Sequence, residues 1–245
     1  MTTVLRRKLI PWVIVPLVLI GLALGIIVYV VNFPGGAMAA RALTYPNITR
    51  YFREHILMVL TALGLAIAVG IPAGIMLTRP SLRAVGRVVE GLVNVGQTIP
   101  SLAILALFFV YLGFGFNTAV FALWLYSILP ILRNTYAGIT SIQANILEAA
   151  RGMGMSPLRV LYKIELPLAL PVIIAGIRTS VVIVVGTATL ATFIGAGGLG
   201  DLIATGISVR RDILIFAGAS LSALLAILLD HVVGQVEDRL LRSDS

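Results

Sequence analysis

The side chains that could act in catalysis or bind a metal ion form no recognised pattern in this chain. His55 and His231 are its two histidines, and neither has a second ligand at a metal-binding spacing. We interpret both as interfacial histidines near the ends of apolar runs. The sequence contains no HExxH motif and no nucleophile paired with a base. Because the chain also has no cysteine, thiolate sites are excluded, and we expect neither a catalytic residue nor a metal site.

One glycine-rich run, Gly195-Ala196-Gly197-Gly198-Leu199-Gly200, fits the GxGxxG pattern of dinucleotide-binding proteins. That pattern binds a dinucleotide only when a strand precedes it and a helix follows it in a soluble βαβ unit. Here the run follows a long apolar segment instead. We therefore interpret it as a tight turn outside the membrane, close to the charged residues Asp201, Arg210, Arg211 and Asp212.

Two prolines interrupt long apolar runs, and polar side chains lie near each of them. Pro100 and Pro130 each remove a backbone hydrogen bond from a helix and can kink or open it. The neighbouring amides and hydroxyls either line a path through the membrane or satisfy the freed backbone groups, and the sequence leaves both interpretations open. The candidate residues of a translocation path are Gln97, Thr98, Pro100, Asn134 and Thr187.

Arg178 lies well inside an apolar run. Insertion scales give a cost of roughly 2.5–3.5 kcal/mol for a charge at the centre of a membrane helix, so this arginine should have a partner. We predict that Asp230 is that partner and that the pair is structural. The alternatives are that Arg178 contacts a substrate, or that its long side chain reaches the membrane surface.

The composition identifies the solvent in which these residues must be positioned. The chain of 245 residues is 59% hydrophobic and 11% charged, with a mean hydropathy of +1.06. Soluble domains carry about a quarter charged residues, so a lipid bilayer is the expected surrounding. The net charge of +8 arises from Lys and Arg beside the apolar runs and not from a basic stripe with interleaved aromatics. Nucleic acid is therefore not expected as a partner.

Six apolar runs are long enough to cross the membrane. A helix rises 1.5 Å per residue, so a hydrocarbon core of about 30 Å needs about 20 residues. Helices are expected because open strands leave their backbone groups unpaired in lipid. The six expected spans are Leu9 to Val31, Ile56 to Thr78, Val88 to Gly113, Phe116 to Gly138, Leu168 to Phe193 and Ile213 to Val233.

The charges beside the runs predict the orientation. The first run follows Arg6, Arg7 and Lys8, and it exceeds the 7–15 apolar residues of a signal peptide, so we favour a retained anchor over a cleaved signal. The positive-inside rule then places both chain ends in the cytoplasm. We divide the chain into an anchor helix with its external loop at 1–55, a core of five spans at 56–233 that contains a cytoplasmic loop at 139–167, and a cytoplasmic tail at 234–245.

The loop contains a charged segment from Glu148 to Pro167 that can neither cross the bilayer nor fold alone. Its sequence predicts a short helix that ends near Gly152 and Gly154, and a second helix capped by Ser156-Pro157. The second helix is amphipathic, because apolar residues recur on one face. The segment is either a helix that rests on the membrane surface or a contact for another protein.

The pattern of this segment is similar to the EAA loop of permease subunits of ATP-binding-cassette (ABC) importers. EAA is followed after three residues by Gly, and after nine more by Ile, any residue, Leu and Pro. The resemblance implies an all-α polytopic permease of the type I fold, with about six transmembrane helices. It also implies that the loop couples the permease to an ATPase through Glu148, Ala149, Ala150, Gly154, Ile164, Leu166 and Pro167.

The resemblance further implies the partners. The chain has no Walker A motif, so ATP and Mg are expected on separate ABC ATPase subunits, with no cofactor in this chain and no enzymatic activity of its own. A second permease subunit, identical or homologous, and an external solute-binding protein are expected. The expected location is the cytoplasmic (inner) membrane of a bacterium or archaeon.

Several further stretches resemble the osmoprotectant branch of this family, which imports glycine betaine, carnitine, choline and related quaternary amines. They include residues 97–103, 129–135, 152–156 and 186–190. A permease for another small solute is the nearest alternative. An ion-coupled carrier is a more distant one, because Glu90, Asp212 and Asp230 all lie near the ends of spans and not at their centres.

Overall fold

A computed structural model describes residues 2–242, with side chains described for residues 12–82 and 84–240. The described residues contain helices and no strand. The α-helices are α1 Thr2–Asn32, α2 Ala37–Ala42, α3 Tyr45–Leu77, α4 Arg83–Gly96, α5 Ser101–Leu112, α6 Phe116–Thr140, α7 Ala144–Gly152, α8 Pro157–Val160, α9 Leu166–Ala188, α10 Gly200–Val209 and α11 Asp212–Arg242. Three short turns of other helix types complete them, at Pro80–Leu82, Leu161–Glu165 and Thr189–Ile194.

Five helical stretches are long and apolar enough to cross a membrane, and a bent pair of helices is the sixth candidate. The five stretches are Trp12–Asn32, Tyr45–Leu77, Phe116–Thr140, Pro157–Ile194 and Asp212–Leu240. The all-α polytopic fold with about six spans is therefore confirmed. Two spans begin well before their expected first residues: α3 begins at Tyr45, and the stretch that contains α9 begins at Pro157.

The third expected span, Val88 to Gly113, is a bent pair of helices that is broken just before Pro100, where the sequence predicts a kink or an opening. α4 ends at Gly96, α5 begins at Ser101, and the two are bent by 99°. The chain turns here because Pro100 lacks an amide proton and disfavours helical geometry at Ile99. α4 begins beside the end of α3, where a Cβ on Gly86 would lie 2.6 Å from the Leu77 carbonyl oxygen.

The centre of the molecule is formed by α3, α6 and α9, which pack closely at glycines. A Cβ on Gly74 of α3 would lie 2.7 Å from the Cβ of Thr135 on α6. A Cβ on Gly176 of α9 would lie 2.7 Å from the Cβ of Asn134, also on α6. Small residues at crossings let helices approach in a membrane, where lipid competes with side-chain packing.

The first helix packs on the last one. Val30 of α1 lies in a buried cluster with Leu214 and Leu221 of α11, and the side-chain amide of Gln235 donates to the Trp12 carbonyl oxygen at 2.7 Å. Arg239 lies over the Trp12 ring at 5.0 Å. α1 is thus fixed to α11 near both of its described ends.

The bundle has two ends, which we name by their residues. The loop end contains α7, α8 and the ends of α3, α6 and α11. The turn end contains the Gly195–Gly200 run, the start of α6 and the start of α11. Gly115 donates its amide to the Ile194 carbonyl oxygen at 2.9 Å, which joins the start of α6 to the turn end.

Candidate functional site

α7 carries the EAA residues and ends in a glycine turn. Gly154 has φ of +78° and donates its amide to the Arg151 carbonyl oxygen at 2.9 Å. Met155 donates to the Ala150 carbonyl oxygen at 3.2 Å. This pair of bonds is a Schellman motif, which satisfies the last carbonyls of a helix and favours glycine at the left-handed position. The predicted turn at Gly154 is confirmed.

α8 begins as the sequence predicts but does not end before the next span. The Ser156 hydroxyl accepts a bond from the Arg159 amide at 3.4 Å, with Pro157 in the first turn. The chain then passes through a π-helical turn at Leu161–Glu165 directly into α9. Pro167 lies in the first turn of α9, where its missing amide proton removes no essential helical bond.

The seven expected coupling residues differ in exposure. Glu148, Ala149 and Gly154 are exposed, whereas Ala150 is buried at 1% exposure. The remaining three, Ile164, Leu166 and Pro167, are half-buried. The exposed members thus lie in α7 and its turn, whereas the members next to α9 are partly covered, so part of the segment packs on the bundle and part of it faces outward.

Large apolar side chains beside these residues are strongly exposed. Met153 is 74% exposed, Leu158 67% and Tyr162 66%. We call Met153, Leu158 and Tyr162, with Glu148 and Ala149, the loop surface. A contiguous exposed apolar patch bordered by charge is typical of a protein contact. The arrangement of the loop surface therefore suits docking of another protein.

An ion pair that the sequence analysis missed fixes this segment to α3. Glu165 is buried at 5% exposure, and its carboxylate contacts Nη2 of Arg79 at 2.5 Å. Arg79 also donates from Nε to the Ile75 carbonyl oxygen at 3.2 Å, at the end of α3. The available signal was Glu165 itself, because it shares a helical face with Leu158 and Leu161 and a charge in an apolar stripe needs a partner.

A polar cavity of about 310 Å³ lies between the loop segment and the ends of α3 and α6. Charged residues of both signs line it: Arg79, Glu148, Arg151 and Glu165. The loop segment is therefore not packed tightly on the bundle, and Glu165 bridges to α3 at the edge of this space.

Three of the expected path residues lie at the bend between α4 and α5. Thr98 donates its hydroxyl to the Val95 carbonyl oxygen at 2.7 Å, and the Gln97 carbonyl oxygen lies 3.5 Å from the Tyr126 hydroxyl of α6. Pro100 precedes the first residue of α5 and has an extended ψ of 128°. The bend places non-helical backbone beside α6, and such backbone inside a membrane is tolerated where it faces protein or water.

The other two expected path residues lie elsewhere. Asn134 donates from Nδ2 to the Pro130 carbonyl oxygen at 2.9 Å, where α6 crosses α9. Thr187 lies seven residues beyond Ser180, whose hydroxyl donates to the Ser127 carbonyl oxygen at 2.7 Å. Seven residues are about 10 Å of helix, so Thr187 lies nearer the turn end. The five residues therefore do not gather at one point.

Arg178 and Asp230 form the predicted pair. Nε and Nη2 of Arg178 each lie 2.8 Å from a carboxylate oxygen of Asp230, so the contact is bidentate. Glu237 lies 3.7 Å from Nη1 of the same arginine. The geometry confirms the prediction, and it joins α9 to α11 near the loop end.

The interpretation of His55 as an interfacial histidine is wrong. Its side chain is fully buried, and Nε2 lies 3.2 Å from the Val185 carbonyl oxygen of α9. The reason is that α3 begins at Tyr45, so His55 lies inside a packed helix and not at its start. His231 lies in α11 eleven residues before that helix ends at Arg242, and its Nε2 contacts the Gln235 side-chain amide at 3.0 Å.

The glycine run forms the predicted tight turn. Gly195, Gly197 and Gly198 all have positive φ, at 69°, 79° and 94°. The Gly198 amide donates to the Glu54 carboxylate of α3 at 3.0 Å. No strand precedes the run in the described part of the chain, so the dinucleotide interpretation lacks its structural context.

Comparison with known proteins places this geometry in a family. The sequence profile described as "Binding-protein-dependent transport system inner membrane component" matches residues 70–242. A chain of the MetNI methionine ABC transporter, solved in an inward-facing conformation, superposes with a TM-score of 0.66 at 23% identity, over 82% of this chain and 99% of that chain. That likeness shows the ABC importer permease fold.

Sequence relatives agree with the profile. The choline transport system permease protein OpuBB of Bacillus subtilis (strain 168) is 48% identical over 76% of this chain and 85% of its own length. The glycine betaine/carnitine/choline permease protein OpuCB of the same organism is 47% identical over 75% and 84%. The osmoprotectant import permease protein OsmY of Salmonella typhimurium is 44% identical over 77% and 80%. By these matches the chain belongs to the family of binding-protein-dependent transport system inner membrane components.

Proposed function

We propose that this chain is the membrane-spanning subunit of an ATP-driven importer for glycine betaine or a related quaternary-amine osmoprotectant. The observation that carries the substrate class is the identity of 44–48% to permeases named for choline, glycine betaine, carnitine or osmoprotectants. A quaternary ammonium ion keeps its charge at every pH and donates no hydrogen bond. Its recognition therefore needs aromatic faces, which we assign to the partner solute-binding protein.

The ATPase partner docks on the loop surface in this proposal. Glu148 offers a charge, Ala149 permits close approach of a second helix, and Met153 and Leu158 supply exposed apolar area. The Schellman turn at Gly154 holds α7 and α8 at a fixed angle, so the segment moves as a preformed unit. ATP and Mg bind to the ATPase, and this chain converts the movement of its loop into opening of the membrane path.

The loop end is cytoplasmic in this proposal, and the turn end faces outward. The basic residues Arg79, Arg151, Arg159 and Lys163 all lie at the loop end, as the positive-inside rule requires. The membrane is then the cytoplasmic membrane of a bacterium or archaeon. A second permease subunit, identical or homologous, would complete the pathway.

The translocation path is assigned to the bend between α4 and α5. The non-helical backbone at Gln97 to Pro100 and the exposed side chain of Thr98 give a weakly polar surface beside α6. A zwitterion needs such a surface to shed water in steps without binding tightly. Asn134 and Thr187 would extend it toward the two ends.

The test is uptake by the complex reconstituted in liposomes with its ATPase and binding protein. We expect radiolabelled glycine betaine, carnitine or choline to accumulate only when ATP and the binding protein are both present. A protonophore should not abolish uptake while ATP is supplied. Transport of an unrelated solute, with no response to any of the three, would refute the substrate class alone, whereas uptake without an ATPase would refute the transport mechanism.

A further inference from the structure

α3 is joined by polar contacts, at both ends of the molecule, to residues 165–198, which contain α9 and which we call the α9 stretch. At the loop end, Arg79 lies two residues after α3 and pairs with Glu165, directly before α9. At the turn end, Glu54 of α3 accepts the amide of Gly198, ten residues after α9. We call these two contacts the loop clamp and the turn clamp. Neither belongs to the loop surface or to the expected path residues.

The loop clamp joins a buried carboxylate to a half-buried guanidinium and has more than one bond. Nη2 of Arg79 lies 2.5 Å from one carboxylate oxygen of Glu165, and Nη1 lies 3.5 Å from the other. The same guanidinium donates to the Ile75 carbonyl oxygen and to the Thr78 hydroxyl, so it is oriented by the end of α3 itself. A charge-assisted bidentate contact of this kind fixes geometry as well as distance.

The turn clamp is equally specific. A Cβ on Gly198 would lie 3.0 Å from the Met58 Cε and 3.2 Å from the His55 Nδ1, and φ there is +94°. Only glycine therefore lets the turn lie this close to α3. The bond of His55 to Val185 adds a second connection between α3 and α9 at the same level.

Between the clamps, α3 is a continuous helix that crosses the whole bundle. From Glu54 to Arg79 the chain advances 25 residues, about 38 Å of helix, which exceeds a hydrocarbon core of about 30 Å. The connection from α8 to α9 is less regular than α3, because it passes through the π-helical turn at Leu161–Glu165. Glu165 ends that turn, so the loop clamp lies at the point where a movement of α8 reaches the bundle.

We propose that Arg79, Glu165 and Glu54 are positioning residues that lock α3 onto the α9 stretch at both ends, so that displacement of the loop moves the Gly195–Gly200 turn on the opposite side of the membrane. This inference rests on the proposed function, because the displacement comes from the ATPase. Breaking either clamp then uncouples the turn from the loop while the ATPase still binds and hydrolyses ATP.

The test uses a cysteine reporter in the turn. Because the chain has no cysteine, Ala196→Cys introduces a single thiol at a buried position in the turn. The complex of permease and ATPase is reconstituted, and a membrane-impermeant maleimide is added on the turn side, without nucleotide and with ATP and vanadate. With both clamps intact, the labelling rates in the two states should differ by at least about fivefold, the lower end of usual allosteric couplings.

The loop clamp is then removed without leaving a buried charge, by Arg79→Met with Glu165→Leu. Apolar replacement of a buried pair commonly preserves folding, so a merely structural role predicts normal coupling in this double variant. Our proposal predicts that it binds the ATPase and hydrolyses ATP, that the labelling rates in the two states become equal, and that uptake per ATP falls. A double variant that keeps both the labelling difference and the uptake per ATP would overturn the proposal.

The turn clamp supplies a second, independent variant. Glu54→Met removes the acceptor for Gly198 and should also equalise the labelling rates. Arg50→Gln is the matched control, because Arg50 is exposed and its contact with Glu54 is long, at 3.9 Å, so the substitution should leave the labelling difference unchanged. Equal labelling in the two states with both clamps intact would also contradict the inference. Failure of the chain to bind any ATPase would instead refute the proposed function.

Discussion

Gly154 is held in a left-handed conformation that an L side chain adopts only at a cost of about 1–2 kcal/mol. No atom lies within 4 Å of a Cβ built there, so Gly154→Ala changes backbone strain and nothing else. We expect the strained turn to reorient α8 relative to α7 and to weaken binding of the ATPase by about tenfold, which corresponds to 1.4 kcal/mol. The measurement is a titration of the detergent-solubilised permease with its ATPase.

Gly152→Ala is the matched control for this change. Gly152 also has open space around it but lies in α7 without positive φ, so alanine there should leave binding unchanged or improve it slightly. Equal effects of the two substitutions would mean that the conformation at Gly154 has no bearing on docking.

At the residue scale, the sequence predicts local features well and distant contacts poorly. The cap at Ser156 and the turn at Gly154 follow from residue types within a few positions, and the structure has both. The pair of Arg178 and Asp230 could be inferred because a charge in lipid demands a partner. The pair of Arg79 and Glu165 was missed, since two charges outside the apolar runs each have a plausible place in water.

At the element scale, the crossing of α6 and α9 leaves no space for a further Cβ. At Gly176 a Cβ would lie 2.9 Å from the Pro130 carbonyl oxygen and 2.7 Å from the Asn134 Cβ. Gly176→Ala should therefore force the helices apart and lower the free energy of unfolding by about 1–3 kcal/mol, as overpacking typically does. Thermal unfolding of the purified protein, followed by circular dichroism, measures this loss.

Gly186 lies in the same helix and gives the comparison. No atom lies within 4 Å of a Cβ built at Gly186, so Gly186→Ala should keep or raise the unfolding temperature, since alanine favours a helix. If Gly176→Ala and Gly186→Ala behave alike, close approach at the crossing does not limit stability.

At the element scale, hydropathy predicts where five of the spans lie but not how they are divided or joined. The run from Val88 to Gly113 is continuously apolar, so its bend at residues 97–100 is not visible in hydropathy. Pro100 indicated a possible break in the helix, but Pro130 indicated one equally, and Pro130 lies inside the unbroken helix α6. The difference depends on what packs around each proline, which is tertiary information.

At the scale of the whole molecule, the orientation is the property to be tested. Ser156 and Asn117 are both exposed and lie at the loop end and the turn end. Single cysteines at these positions in the cysteine-free chain can be labelled in intact cells with an impermeant thiol reagent. We expect Asn117→Cys to react and Ser156→Cys to react only after the cells are permeabilised. The opposite pattern would invert the proposed topology.

The packing of α1 on α11 has a consequence for biosynthesis. Among the described spans, α1 leaves the ribosome first and α11 last, and about 180 residues separate Asn32 from Asp212. At about 5–20 residues per second, α1 waits roughly 10–40 s in the membrane for its partner. During that time lipid or the insertion machinery covers the face of α1 that packs on α11. The hydrogen bond from Gln235 to the Trp12 carbonyl oxygen has not yet formed. Packing of α1 on α11 is therefore a late step of assembly, and a ribosome that stalls before Asp212 leaves a nascent chain in which α1 lacks the helix that covers it.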